Sequence, residues 1–341
     1  MKIPVYSSTI RRKEMDSVLT CMVAEKIGPG EMNQKLVQLA RESFGIEGAT
    51  AFRSASIALS YALQALDLPK GSGIIISALA PAWHHQAILS LGFQPILTDV
   101  HPETALVTAD LLDEAVKRGG RLILLHEALG FIPDVQSILA LNIPVIEDIS
   151  QSAGATLDGK MAGTFGIFSI MGLEETDLLT GGGGALLISP ARREAIVQKK
   201  MDESAPRTDI LPDINSALAY VQLKELAKNS ELRHGMAELY INSLLQGRHK
   251  TMIQQGEGTN SAYSFPVILS SGLKEVKQYA SRKDIEIGCA FSGSVAELLG
   301  DGLEGCINAK SLMMRCVLFP LYPRLGSANA AKIAKVLATL P

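Results

Sequence analysis

The chain has 341 residues, 47% of them hydrophobic, enough for one large domain with a sizeable core and a smaller domain beside it. Its formal charge of -3 offers no basic excess for a phosphate backbone, which argues against nucleic acid as a partner. The opening MKIPVYSSTIRRKEM turns charged before any apolar stretch of signal-peptide length, and no later run reaches membrane-spanning length, so a cytoplasmic protein without a membrane partner is expected.

After the turn Gly28-Pro29-Gly30, the stretch Glu31 to Ser43 sets Met32, Leu36, Leu39 and Ala40 on one face, and Gly45 supplies a stop, which predicts an amphipathic helix. Short β-rich runs then alternate with helical patterns. Thr50 to Phe52 is followed by Ala55 to Leu66, Ile74 to Ile76 by His84 to Leu91, and Pro95 to Asp99 by Ala109 to Lys117. Leu122 to Leu125, the helix Val135 to Leu141 and the strand Val145 to Asp148 continue the series. Such alternation predicts an α/β fold with a mostly parallel sheet covered by helices. Ile167 to Ile170 and Ala185 to Ile188 read as further strands, with the run Gly181 to Gly184 as punctuation between them. Asn215 to Leu245 reads as one long helix closing a large domain over residues 1–230. Strand-like Ser264 to Leu269 and helix-like Leu273 to Ser281 predict a small α+β domain over 231–341. Cys21, Cys289, Cys306 and Cys316 are scattered with no C-x-x-C pair, so neither a metal site nor a disulfide framework is expected.

Several blocks, taken in order, resemble the DegT/StrS-type sugar aminotransferases, enzymes that aminate keto-sugars attached to nucleotides. They are Ile3-Pro4-Val5, Ile27 to Gly30, Leu91 to Pro95, Pro144 to Ser152, Gly163 to Gly166 with Phe168-Ser169, Thr180 to Gly184, Val221 to Leu223 and Phe319 to Pro323. The resemblance implies an aspartate-aminotransferase-like, fold-type I large domain with a small C-terminal α+β domain, and pyridoxal phosphate (PLP) or its aminated form, pyridoxamine phosphate (PMP), as cofactor. It also implies a nucleotide-linked sugar as partner and a homodimer with the site at its interface.

Such a cofactor needs an acid for the ring nitrogen, a phosphate cradle, a stacking surface and a lysine for the imine. Asp148 ends an apolar run, where ligands of open α/β sheets bind, and matches the family's ring-nitrogen aspartate. Gln151 matches a glutamine near the ring hydroxyl. Ser54-Ala55-Ser56 lies at a strand-to-helix turn suited to phosphate, where the family shows Ser-Gly-Thr; a plain serine N-cap is the alternative. Ser169 matches a second phosphate-contacting serine. The family's stacking aromatic falls on Pro81, and Trp83 stands nearby to take the role or simply to pack. His84 and His85 have no carboxylate or cysteine at ligand spacing and read as helix-start residues.

The lysine is missing. Counting forward from Ser169 places Glu174 at its position, and counting back from Thr180 places Thr176 there; no lysine occurs between Lys160 and Lys199. Neither glutamate nor threonine forms an imine. Glu174, Glu175 and Asp177 lie close together and read as a solvated acidic loop, Glu174 serving as a base only if buried. The family's Gly-Tyr-Asn-Tyr-Arg motif aligns with Pro206 to Ile210, which puts Thr208 where the partner-reaching asparagine belongs, and Ala153 stands in place of a family histidine. These departures lead to the expectation of a repurposed member that does not transaminate and holds PLP, PMP or a nucleotide sugar without a covalent bond. The alternatives are a PMP-using sugar dehydratase with Glu174 as base, and an aminotransferase rescued by Lys160 or Lys199.

Overall fold

The structure is a computed structural model that describes residues 2–270 and 272–341. Helices α1 (Arg12–Val23) and α2 (Glu31–Phe44) lead into strand β1 (Gly48–Phe52) and helix α3 (Ala55–Ala65). There follow β2 (Gly73–Ser77), α4 (Ala82–Ser90), β3 (Gln94–Thr98), α5 (Ala109–Lys117), β4 (Gly120–His126), α6 (Val135–Leu139) and β5 (Val145–Asp148). The short strands β6 (Thr156–Leu157) and β7 (Lys160–Met161) precede β8 (Phe168–Gly172), β9 (Ala185–Ser189), α7 (Arg192–Asp202), α8 (Asp213–Lys224) and α9 (Leu226–Leu244). The remainder comprises β10 (Gly258–Thr259), β11 (Phe265–Ile268), α10 (Leu273–Arg282), β12 (Gly288–Cys289), α11 (Val295–Leu299), α12 (Ile307–Arg315), β13 (Cys316–Phe319) and α13 (Ser327–Leu337).

The main sheet runs β1-β9-β8-β5-β4-β2-β3. Its neighbours from β8 through to β3 are parallel, and β9 joins β8 and β1 antiparallel, so β1 points the same way as the parallel strands. Alternation along each strand divides the core. Ile74, Ile76, Leu122, Leu124, Ile146 and Phe168 pack under α3 and α4 on one face; Ile75, Ile123, Leu125, Val145, Met171 and Leu186 build the core of the other. Both faces are dry, which is why these strands read as continuous apolar runs.

The single helix expected over 215–245 is two. At Glu225 the backbone leaves helical values (φ -93, ψ 3), and the side chain is held by Lys13 Nζ at 2.6 Å. The break redirects the chain, because α8 packs on α1 and α2 whereas α9 packs on α13. A division at 230 falls inside α9. The three-stranded antiparallel sheet β11-β13-β12 has its own core, in which Val267, Val317 and Phe319 meet Tyr240 of α9, Val276 of α10 and Ile333 of α13. Ile3 belongs to this core and bridges Ile285 in parallel. Among the described residues, no helix is long and apolar enough to cross a membrane.

Candidate functional site

The carboxyl ends of β1, β2, β4, β5 and β8 converge on one edge of the sheet, the edge at which open α/β sheets take ligands. A cavity of about 690 Å³ opens there, closed from the far side by Tyr6, Tyr263 and the segment 288–294. Its floor includes the start of α3. Ser54 is the N-cap, accepting a hydrogen bond from the Ile57 amide at 3.2 Å, so its hydroxyl already serves the helix. The amides of Ala55 and Ser56 belong to the turn that has no intrahelical acceptor, and both residues face the cavity with the positive end of the helix dipole. That is a seat for an anion. Among the described residues lining the cavity there is no lysine and no arginine.

Beside it lies a buried cluster the sequence did not announce. Asp148 Oδ2 receives His84 Nε2 at 2.8 Å and His126 Nδ1 at 3.1 Å; Oδ1 receives the Ser150 amide at 3.1 Å and the Ser150 hydroxyl. Burial would raise the Asp148 carboxyl, but the hydrogen bonds from His126 and His84 outweigh it and hold the group far below the ordinary carboxylate range. His84 is pushed the other way: burial favours its neutral form, against the pull of Asp148. An ionised carboxylate fixes the proton positions, so His84 donates from Nε2 and His126 from Nδ1. The rings are perpendicular (87°) with centroids 5.8 Å apart. His126 lines the cavity, whereas Asp148 and His84 lie behind it.

The loop after β8 carries the acidic run of Glu174, Glu175 and Asp177. Leu173 O accepts the amides of Gly181 and Gly183, which folds the loop back on itself; Gly183 and Gly184 meet this with φ of 115° and 110°. Gly172 is needed for a different reason: any Cβ there would collide with the Asp177 carboxylate and the Ser150 hydroxyl. Glu174, Glu175 and Thr176 are exposed. Asp177 turns inward, accepts the Glu174 amide at 2.8 Å and lines the cavity. Burial pushes its carboxyl up to about 7, the nearby charges of Asp148 and Glu174 adding to the effect. Tyr263, from the segment before β11, donates its hydroxyl to Thr176 O at 2.7 Å and so ties the loop to the smaller sheet.

The expected site residues therefore divide. Ser54, Ala55, Ser56, Trp83, Gln151 and Glu174 all line the cavity. Trp83 stands in the first turn of α4 with its ring edge-on to His84 at 4.2 Å. Gln151 Oε1 accepts the Leu129 amide at 2.6 Å, pinning a residue whose φ is 57°. Asp148 has no solvent exposure and is not on the cavity lining, which its partner His126 reaches. Ser169 is a correction. It pairs with Glu147 across the strands, so the pleat points it to the opposite face from Asp148, where its hydroxyl donates to Gly163 O at 2.6 Å. His84 is a second, since it does start a helix but its ring meets a carboxylate 64 positions away. The acidic loop is a third: Glu174 is solvated as expected, but Asp177 is partly buried. Lys160 and Lys199 are exposed and lie outside the cavity lining.

These residues do not fit a covalently held PLP. The α3 amides suit its phosphate, but among the described residues no lysine lines the cavity.

A model of the DegT/DnrJ/EryC1/StrS aminotransferase family matches residues 8–338. Among solved structures, the aminotransferase TlmJ of Streptoalloteichus hindustanus shares 19% identity at a TM-score of 0.89, over 99% of this chain and 98% of that one. The E. coli GDP-4-keto-6-deoxy-D-mannose-3-dehydratase with bound hydrated PLP shares 19% at a TM-score of 0.86, over 99% and 100%. A mutant of GDP-4-keto-6-deoxymannose-3-dehydratase with bound GDP-perosamine shares 20% at 0.86, over 98% and 99%. At these identities the likeness is one of fold.

Proposed function

Since the chain belongs to the DegT/DnrJ/EryC1/StrS aminotransferase family, we propose that it is a member that keeps the family's cavity without its transamination chemistry. It binds a phosphate-bearing ligand non-covalently, either PLP, PMP or a nucleotide-linked sugar, with the phosphate on the α3 amides. The observation that carries this reading is the cavity wall itself, where acids, Glu174 and Asp177, stand on the segment that would supply the lysine and, among the described residues, no lysine or arginine lines the rest. Without an amine on the cavity wall, no imine can be formed and exchanged there.

The test uses the only tryptophan, Trp83, which sits on the cavity wall. PLP, PMP and a nucleotide-linked sugar, titrated separately, should include at least one that quenches its fluorescence saturably. Borohydride reduction in the presence of PLP should leave no lysine adduct. A stable adduct on a single lysine, or no saturable response to any of the three, overturns the reading.

A second reading is favoured by Asp177. A carboxyl held near neutrality at a cavity wall can both donate and accept a proton, as a dehydratase requires. In that reading Asp177, rather than Glu174, is the base, and turnover of a 4-keto nucleotide sugar supplied with PMP should disappear in Asp177→Asn and survive in Glu174→Gln.

A further inference from the structure

We propose that His84, His126 and Asp148 form a binding site for a divalent transition-metal ion of the zinc class, open on one side to the cavity. Three donors of the right kind converge there: two imidazole nitrogens and one carboxylate oxygen, mutually within 4.8 Å. Around a four-coordinate zinc with bonds of about 2.0 to 2.1 Å, neighbouring ligand atoms stand roughly 3.3 Å apart. The two nitrogens approach Asp148 Oδ2 to 2.8 and 3.1 Å, within half an ångström of that edge. Small rotations of the two rings would make room for the ion. Two imidazoles with a carboxylate suit zinc or iron(II) better than magnesium or calcium, which favour all-oxygen shells.

The charge of the cluster points the same way. Asp148 is without solvent exposure, and among the described residues it makes no ion pair with a lysine or arginine; its partners are the two rings. Buried charges are normally paired with a cation or bound to a metal. Part of the outer shell is in place as well. Ser150 holds the second carboxylate oxygen through both its amide and its hydroxyl, fixing the orientation of the ligand. His84 Nδ1 has no hydrogen-bond partner, so that ring lacks the outer bond a ligating histidine usually makes.

The ligands also sit on rigid elements, in the first turn of α4 and at the ends of β4 and β5, as precise sites require. His126 alone reaches the cavity, so the fourth position faces it and would take water or a ligand oxygen. A dication there would give a cavity without lysine or arginine a positive centre for an anionic ligand.

The proposal does not rest on the reading of the ligand given above; a borohydride-stable lysine adduct would end that reading and leave this one standing. Its test is direct titration of the chelator-treated full chain with Zn2+ alone by calorimetry, and with Co2+ followed by visible absorption. The expected result is one equivalent of Zn2+ bound saturably, with a Co2+ spectrum of a four-coordinate ion carrying nitrogen and oxygen donors. His126→Ala and Asp148→Asn should each weaken binding at least tenfold, with the circular dichroism of His126→Ala unchanged. Should Asp148→Asn fail to fold, His126→Ala alone decides, its ring being on the cavity wall. Unsaturable binding, or affinity unchanged in folded His126→Ala, overturns the proposal.

Discussion

Glu147 and Asp148 are neighbours on β5, and the pleat sends them to opposite faces of the sheet, both without solvent exposure. On the cavity side, Asp148 has two imidazoles and Ser150 for partners and stays ionised. On the other side, Glu147 accepts the amides of Gly163, Phe165 and Gly166, yet burial still raises its carboxyl. Glu127 shares that side. It is completely buried, and burial, then the charge of Glu147, raise it well above the ordinary range. Equal burial thus gives opposite charge states, and the difference is made by partners. One face of the sheet holds a fixed negative charge for use; the other holds a proton.

The contrast can be broken most forcefully at Asp148. Asp148→Ala strands two buried imidazoles and the Ser150 hydroxyl, and should lower stability in urea denaturation by about 3 to 5 kcal/mol. A loss under about 1 kcal/mol would mean that the cluster contributes little to the fold.

Glu127→Gln sharpens the comparison from the other face. A carboxyl raised in the folded state binds its proton more tightly there than in the unfolded chain, so stability falls as pH rises past the unfolded value of about 4.5. The neutral replacement should therefore gain roughly 1 to 3 kcal/mol at about pH 8 and much less near pH 4, read as a difference in melting curves. An equal effect at both pH values would show that Glu127 does not hold a proton.

The smallest effect is expected at Asp177, which is only partly buried. Its carboxyl rises to about 7, so the penalty builds between the unfolded value and that point and is then constant. Asp177→Asn should gain about 1 kcal/mol above neutrality and nothing near pH 4, after allowance for solvent screening. A pH-independent gain would place Asp177 with the solvated Glu174.

The architecture was legible because it is written in local periodicity. Val145–Asp148 and Ala109–Lys117 stand where their patterns end, since dry strands and amphipathic helices carry their own signals. The break at Glu225 was not legible, because apolar spacing runs on through it and only the packing of α8 and α9 on different partners demands it. The site was legible in part. Ser54, Gln151 and Trp83 come from loops and helix starts that the family pattern places on the cavity. His84, His126 and Asp148 lie on three elements far apart in the sequence, and nothing near any one of them announces the other two. A histidine closing the apolar run Leu122 to Leu125 was the available signal, and it says only that a polar group ends a buried strand. Asp177 was masked by its exposed neighbours, since a count of acids in a loop does not say which one turns inward.

The parallel bridge from Ile3 to Ile285 has a consequence for synthesis. Ile3 donates its amide to Asp284 O and accepts that of Glu286, in a core built by residues from the last third of the chain. Domains generally fold as units, the N-terminal ones first as the chain is made. This edge of the smaller sheet cannot follow that order, because an early segment must wait, unpaired, until nearly the whole chain has been translated. The docking of Ile3 belongs to the end of folding, and ribosome-bound chains stopped short of Ile285 should leave residues 2–8 open to proteases that the finished protein resists.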